Sequence, residues 1–387
     1  LRLYKQLREV HRNLIWFLIA TPIYELRISK QRKTWQGEQT LSDRVVVLVI
    51  YPSDGLPDSA KLTMQHIRDS GYSIVVVSNL PLSETDRAAL LPLCATYIER
   101  PNFGYDFGAF RDGVLYVTEQ RKDLQRLALL NDSTWYPLPD RYNWLLKAEE
   151  MGHDLVGAVS NYGTPRVGVE DFAEFEWTYS TDHRNFHYCS FALSFGPEIA
   201  NNRRFRRFWA RFAMDNNKKR VVRRGEIGLT QWVIAKGFTH ECTCNPATLR
   251  DELATLDDDR LYQVAARAIF PEYPHGQAAK QAVLDTPRSD PGWRKLLTNY
   301  LLMAATSQGT SYALAELTTQ EMSFPFLKKS PLRLSKSVAD ISLDIISRIP
   351  GEMGQCIMQE ALVLKESRTT KYDALENPKY KEKKKGR

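Results

Sequence analysis

The chain has 387 residues, 43% hydrophobic and 11% aromatic, and a formal net charge of +7. Such a composition excludes a wholly disordered chain and suits one large or two modest domains, at roughly 100–200 residues each. The basic excess is concentrated in Arg203 to Arg224 and Lys381 to Arg387; no nucleic-acid motif accompanies it, so no nucleic-acid partner is expected.

Residues 1–43 read as a helical arm and a polar linker. The apolar stretch Leu14 to Ile23 falls short of the ~20 residues a spanning helix needs. Its basic flanks (Arg8, His11, Arg12; Arg27, Lys30, Arg32, Lys33) suit an anionic membrane surface, while docking on the protein's own core explains the apolar face equally well. Arg44 to Tyr51 is a continuous β-branched run, the pattern of a strand buried on both faces. A turn, a helix from Asp58 to Ser70, a second buried strand from Ser73 to Val77 and a short helix from Ser83 follow. Next come a strand over Ala95 to Glu99, a glycine-rich turn, a helix over Phe107 to Lys122 and a strand over Arg126 to Leu130. Strands alternating with helices at this spacing predict a parallel sheet of βαβ units.

Tyr142 to Met151 is a predicted helix, Asp154 to Ser160 a strand, and residues 161–186 a loop-rich insertion. Tyr188 to Phe195 reads as one strand, Pro197 to Phe212 as a basic helix, Leu229 to Lys236 as a helix stopped by Gly237, and Phe238 to Cys244 as a strand. The expected division is an arm at 1–43, an α/β domain at 44–248, a helical region at 249–366 broken near Pro350-Gly351, and a charged, disordered tail at 367–387. Five cysteines without repeating spacing fit a reduced, cytoplasmic protein. His240-Glu241-Cys242-Thr243-Cys244 fits a strand with buried cysteines better than a metal site.

Two stretches carry the candidate chemistry. Asn102-Phe103-Gly104-Tyr105-Asp106-Phe107-Gly108-Ala109-Phe110 follows one strand, and Asn131-Asp132-Ser133 closes the next. Ligands of open α/β sheets bind beyond the carboxyl ends of the strands. Gly104 and Gly108 permit close backbone approach, and Asp106 either serves that site or caps the helix. Asp132 is placed to hold a metal or a diphosphate; an Asp capping the next turn is the structural alternative. Glu226, ahead of a helix, is the candidate general base, against a favourable acid at a helix N-terminus.

Glu99 to Phe110, Leu130-Asn131-Asp132-Ser133, Val49-Ile50-Tyr51, Val76-Val77-Ser78-Asn79 and Ser323 to Lys329 together resemble the rhamnan-synthesis F family of bacterial polysaccharide assembly, over about residues 44–335. More distantly, the layout is similar to inverting glycosyltransferases of the GT-A fold. The resemblance implies a GT-A-like α/β protein that moves rhamnose or a similar deoxysugar from a nucleotide-diphosphate donor onto a lipid-linked or oligosaccharide acceptor of a cell-surface glycan. It implies Glu226 as base and Asp132 in the metal position. With one carboxylate where two are usual, dependence on Mg or Mn stays open. Tyr51, Asn79, Asn102, Gly104, Asp106, Asn131 and Lys328 would contact the donor. The implied setting is the cytoplasmic face of the inner membrane. Two alternatives are a non-catalytic glycan- or nucleotide-binding module of an assembly complex, and a phospho-sugar transferase using the same turn.

Overall fold

The computed structural model describes residues 20–270 and 274–367, so residues 1–19 of the expected arm, with Arg8, His11 and Arg12, and residues 368–387 of the tail expected at 367–387 lie outside the described residues. The chain forms two compact units. The first takes the chain up to Asp132, then Leu145–Gly157 and Tyr188–Glu241.

Its centre is a sheet built from β1 (Lys33–Gln36), β2 (Arg44–Ile50), β3 (Ser73–Ser78), β4 (Thr96–Glu99), β5 (Arg126–Asn131), β7 (Leu155–Asn161), β9 (Ala192–Phe195) and β10 (His240–Cys244), with β8 (His187–Tyr188) beside β7. Val45 to Ile50, and all of β3 and β5, are buried. Their β-branched and leucine side chains meet apolar cover on both faces, as the unbroken hydrophobic runs predict. Helices α1 (Asp58–Asp69), α2 (Glu84–Leu90) and α3 (Tyr105–Gln120) make the crossovers between β2, β3, β4 and β5, which pair in parallel.

The order is β1-β4-β3-β2-β5-β9-β7-β10. From β2 the chain winds outward to β3 and β4, then returns to lay β5 on the other side of β2. The reversal opens a crevice at the carboxyl ends of β2 and β5. β9 runs antiparallel to both β5 and β7. A mostly parallel sheet flanked by helices, GT-A-like as expected, is therefore the fold of this unit.

Several elements differ from expectation. Lys33–Gln36 is an antiparallel edge strand on β4; its polar residues carry no apolar alternation to announce it. The strand expected over Tyr188 to Phe195 is two strands, β8 and β9, interrupted at Cys189, Ser190 and Phe191. The basic helix divides into one turn, Pro197–Ala200, and α5 (Arg203–Ala210), whose N-cap Asn202 accepts a hydrogen bond from the Arg204 N–H. The helix expected from Leu229 begins earlier, as α6 (Lys218–Val222), a π-helical turn (Arg223–Ile227) and α7 (Gly228–Ala235) in unbroken succession. A shorter helix, α4 (Trp144–Glu150), precedes β7.

The second unit takes Ser133–Trp144, Ala158–His187 and the chain from Cys242. A small antiparallel sheet pairs β6 (Thr134–Trp135) with β11 (Leu327–Lys328). Its helices include α8 (Leu249–Thr255), α9 (Asp258–Arg267), α10 (Pro274–Asp285), α11 (Trp293–Gln308), α12 (Lys336–Ser347) and α13 (Gly351–Glu366); the last two are separated at Pro350 as the sequence suggests. Leu253, Leu261, Val264, Leu297, Tyr300 and Leu301 form its helical core. Glu316, 1% exposed, is held by Arg260 at 2.8 Å and Arg348 at 2.6 Å. Desolvation by itself would raise its pKa, but the two guanidiniums outweigh burial and hold it below the ordinary value.

Candidate functional site

The crevice at the β2–β5 reversal is where open α/β sheets bind ligands. Its edges are Tyr51 and Asp132. The Asp132 N–H donates to the Val49 carbonyl at 3.1 Å, continuing the ladder one residue past β5. In return the Tyr51 N–H donates to Asp132 Oδ2 at 2.6 Å. The carboxylate thus spans the ends of both strands, half-buried, while the Tyr51 ring stays 46% exposed.

Asn131, nearly buried, donates from Nδ2 to Asp106 Oδ2 at 3.2 Å. Asp106 lies in the first turn of α3, where the helix dipole favours a negative charge. It is not the N-cap. That position falls to Gly104, at φ +87°, whose N–H is taken up by Asn216 Oδ1 at 3.0 Å. Tyr105 follows at φ +52°, with its hydroxyl on the Asn216 carbonyl at 3.1 Å. Two successive residues in the left-handed region make this a costly turn for any residue but glycine at the first position. A Cβ on Gly108 would lie 2.3 Å from the Phe103 carbonyl, and one on Gly104 would lie 2.9 Å from Met214 Cε. The atoms crowding both glycines belong to the protein itself, so close packing of the turn already requires them. Asn102 is exposed on the same turn.

Asn79 sits deeper. It is 2% exposed, and its Oδ1 accepts from Arg100 Nη1 at 2.5 Å. Arg100 also donates to the Phe103 carbonyl at 2.6 Å and to Asp112 at 2.8 Å, and Tyr24 donates to the same carboxylate. Each ionised group is buried and each has an opposite partner, which is the condition for tolerating charge in a core. The network ties the ends of β3 and β4 to the turn. The Tyr24 hydroxyl is pushed up to about 12, chiefly by burial.

Glu226 occupies the π turn between α6 and α7. Its Oε1 accepts from both the backbone N–H of Ser190, at 2.8 Å, and the Ser190 hydroxyl, at 2.9 Å. Ser190 lies in the interruption between β8 and β9, beside Phe191, whose carbonyl accepts the Asn131 N–H at 3.2 Å. The break therefore brings the glutamate to the end of β5 that carries Asn131 and Asp132. Gly225, buried, lets the π turn pack against Phe107 of α3: a Cβ there would lie 2.3 Å from the ring. Single π turns recur at functional sites because they re-aim a side chain. Upstream, Asp215, fully buried, receives Arg220 at 2.5 and 3.0 Å and Arg224 at 3.4 Å. Burial alone would raise its pKa, but hydrogen bonds from Arg220 and the Asn217 N–H lower it.

Tyr51, Gly104, Asp106, Asn131, Asp132 and Glu226 are thus gathered around one end of the sheet, with Asn79 beneath and Asn102 on the turn. Lys328 belongs to the second unit, on β11 opposite Thr134; its neighbour Lys329 pairs with Glu360 at 3.3 Å and lies over the Trp135 ring. Sequence reasoning missed Ser190, Asn216 and Arg100. Ser190 looks like a residue inside a strand, and only the broken ladder reveals it. Arg100, a charge placed directly after a buried strand, did carry a signal.

Sheet order and crevice define an α/β protein of GT-A-like architecture. The family model of rhamnan synthesis protein F matches residues 74–273, just over half of the chain, and the chain belongs to that family. It is 32% identical to uncharacterized protein y4gN of Sinorhizobium fredii over 203 residues, 52% of this chain and 49% of that protein. It is 27% identical to virulence protein VirA of Vibrio anguillarum over 184 residues, 46% of this chain and 51% of that protein. The chain spans about half the length of the curated relatives it matches. Among solved structures it is similar to the galactosyltransferase LgtC in complex with donor and acceptor sugar analogs, at 12% identity and TM-score 0.31, over 66% of this chain and 83% of that one. It is also similar to the mannosyltransferase PcManGT from Pyrobaculum calidifontis in complex with GDP-Man and Mn²⁺, at 11% identity and TM-score 0.27, over 92% and 93%.

Proposed function

We propose that this chain is a nucleotide-sugar glycosyltransferase of polysaccharide synthesis, with its active site in the β2–β5 crevice. The observation that carries the reading is the link from Asn131 and Asp132 at the end of β5, through the Phe191 carbonyl and the adjoining Ser190, to Glu226. Transfer needs a base at the acceptor hydroxyl and a counter-charge for the departing diphosphate. Glu226 removes the acceptor proton. Two Ser190 donors on Oε1 fix the orientation of the carboxylate. The sugar then moves with inversion of configuration, a single displacement needing one base. Tyr51 offers its exposed ring to the donor's base. The α3 turn, through Gly104, Asp106 and Asn102, shapes the rest of the donor pocket, and Arg100 and Asn79 hold the turn from beneath.

Asp106 and Asp132, on either side of Asn131, are hard oxygen donors of the kind Mg²⁺ and Mn²⁺ take together with substrate phosphates. A divalent ion at Asp132 would neutralise charge on the leaving diphosphate. The sugar we infer is rhamnose or a similar deoxysugar. The acceptor is a lipid-linked or oligosaccharide glycan at the cytoplasmic face of the inner membrane. Among the described residues no helix is long and apolar enough to cross a membrane, which is compatible with peripheral attachment.

The test is Glu226→Gln in a donor-binding and transfer assay. The amide should abolish transfer while leaving donor affinity within a few-fold; unaltered turnover would remove Glu226 from the mechanism. The clamp on Oε1 also suits a purely structural glutamate in a binding module. Donor hydrolysis by the pure protein without acceptor would count against that second reading.

A further inference from the structure

The arginines of α5 take no part in the site above, yet they converge on a cleft of about 700 Å³ between the N-terminal arm, α3 and α5. Arg203, Arg206 and Arg207 reach it from α5, Arg32 from the arm and Arg111 from α3. The spacing i, i+3, i+4 places the three α5 arginines on one helix face, while Phe205 and Trp209 bury the opposite face.

The cleft's charges divide by depth. Arg111 is buried and committed: it donates to the Trp209 carbonyl at 3.1 Å and pairs with Glu25 and with Asp112. Arg32, Arg203, Arg206 and Arg207 are exposed, and among the described residues their side chains make no ion pair. Glu119 is the one acid of the lining outside the Arg111 cluster. The cleft therefore has a neutralised floor and a cationic rim. A small soluble polyanion would want its counter-charges at the floor. A rim of uncompensated guanidiniums matches an extended anionic surface instead. The same arm adds Leu26, 66% exposed, next to Glu25, and it continues the apolar Leu14 to Ile23 sequence with Arg27, Lys30 and Lys33 beyond.

We propose that this arginine rim docks the protein on anionic phospholipid headgroups, with Leu26 entering the interface. The inference rests on the membrane setting proposed above and names the surface responsible. It shares no residue with the candidate active site.

The experiment is vesicle co-sedimentation of the full chain on pure phosphatidylcholine and on phosphatidylcholine mixed with phosphatidylglycerol, at low and high salt. The protein should bind only the mixed vesicles and release at high salt. Each basic residue near such a surface is worth about fivefold in partitioning, so Arg203→Gln/Arg206→Gln/Arg207→Gln should bind about a hundredfold more weakly. Arg32→Gln, on a separate segment, should lose about fivefold. Donor binding by the triple variant should be unchanged, which also certifies its folding. Equal binding by the wild type and the triple variant would overturn the rim while sparing the membrane setting. Binding to neither vesicle would overturn both. Binding to inorganic pyrophosphate that the triple variant loses, with no vesicle binding, would make the cleft a soluble-anion site and also overturn the proposal.

Discussion

A single methyl group on Gly225 tests the link between packing and catalysis. The Cβ of Gly225→Ala would stand 2.3, 2.4 and 2.6 Å from three ring atoms of Phe107, where ordinary contact begins at 3.4 Å. Relief therefore requires a shift of about 1 Å. The ring has little room to yield: Phe107 is 3% exposed, stacked on Trp209 at 6.1 Å and Phe212 at 5.9 Å, and meets Phe110 edge-on at 5.8 Å. The π turn must move instead, and it carries Glu226. Overpacking of this kind costs about 1–3 kcal/mol. A misplacement of about 1 Å at a reacting group costs about a hundredfold in turnover. We expect Gly225→Ala to lower the melting temperature modestly and to reduce transfer about a hundredfold, with donor affinity nearly intact. Phe107→Ala removes the clashing ring, so the double mutant should be less destabilised than the sum of the two single changes. Wild-type turnover in Gly225→Ala, or strict additivity in the cycle, would refute the reasoning.

Other expectations follow from the same geometry. Asp132→Asn keeps an acceptor for the Tyr51 N–H but loses the charge. It should abolish any Mg²⁺- or Mn²⁺-dependent thermal stabilisation by nucleotide diphosphates, and retention of that stabilisation would move the metal elsewhere. Arg100→Met strands the buried Asp112 carboxylate with weaker partners and should destabilise the first unit by about 3–5 kcal/mol in denaturant melts; a loss within error would mean the network is dispensable. Glu316 has a folded pKa held below its ordinary 4.5, so its contribution is complete above that value and drains away as pH falls through the folded pKa. The stability gap between wild type and Glu316→Gln should accordingly be widest at neutral pH and narrow below 4.5; a gap constant with pH would contradict the assignment.

The central strands were legible because a strand buried on both faces must be apolar at every position, and Val45 to Ile50 is. The turn was legible because Gly104 and Gly108 stand where few other residues fit. β1 was not, since an edge strand with exposed side chains is held by its pairing with β4 rather than by apolar alternation. The π turn was hidden for a related reason. Gly225 and Gly228 lower helix propensity and read as a boundary, whereas contact with Phe107 favours a continuous helix there.

What the sequence determined alone was the set of buried strands, the crossovers between them and the candidate residues at their ends, because burial and turn chemistry are written locally. The tertiary structure decided which ends face one another. Pairing of β5 between β2 and β9, and the interruption at Ser190, bring Glu226 to Asn131 and Asp132 across about a hundred residues of chain. Such long-range pairing is chosen by the packing of the whole unit, and no local pattern encodes it.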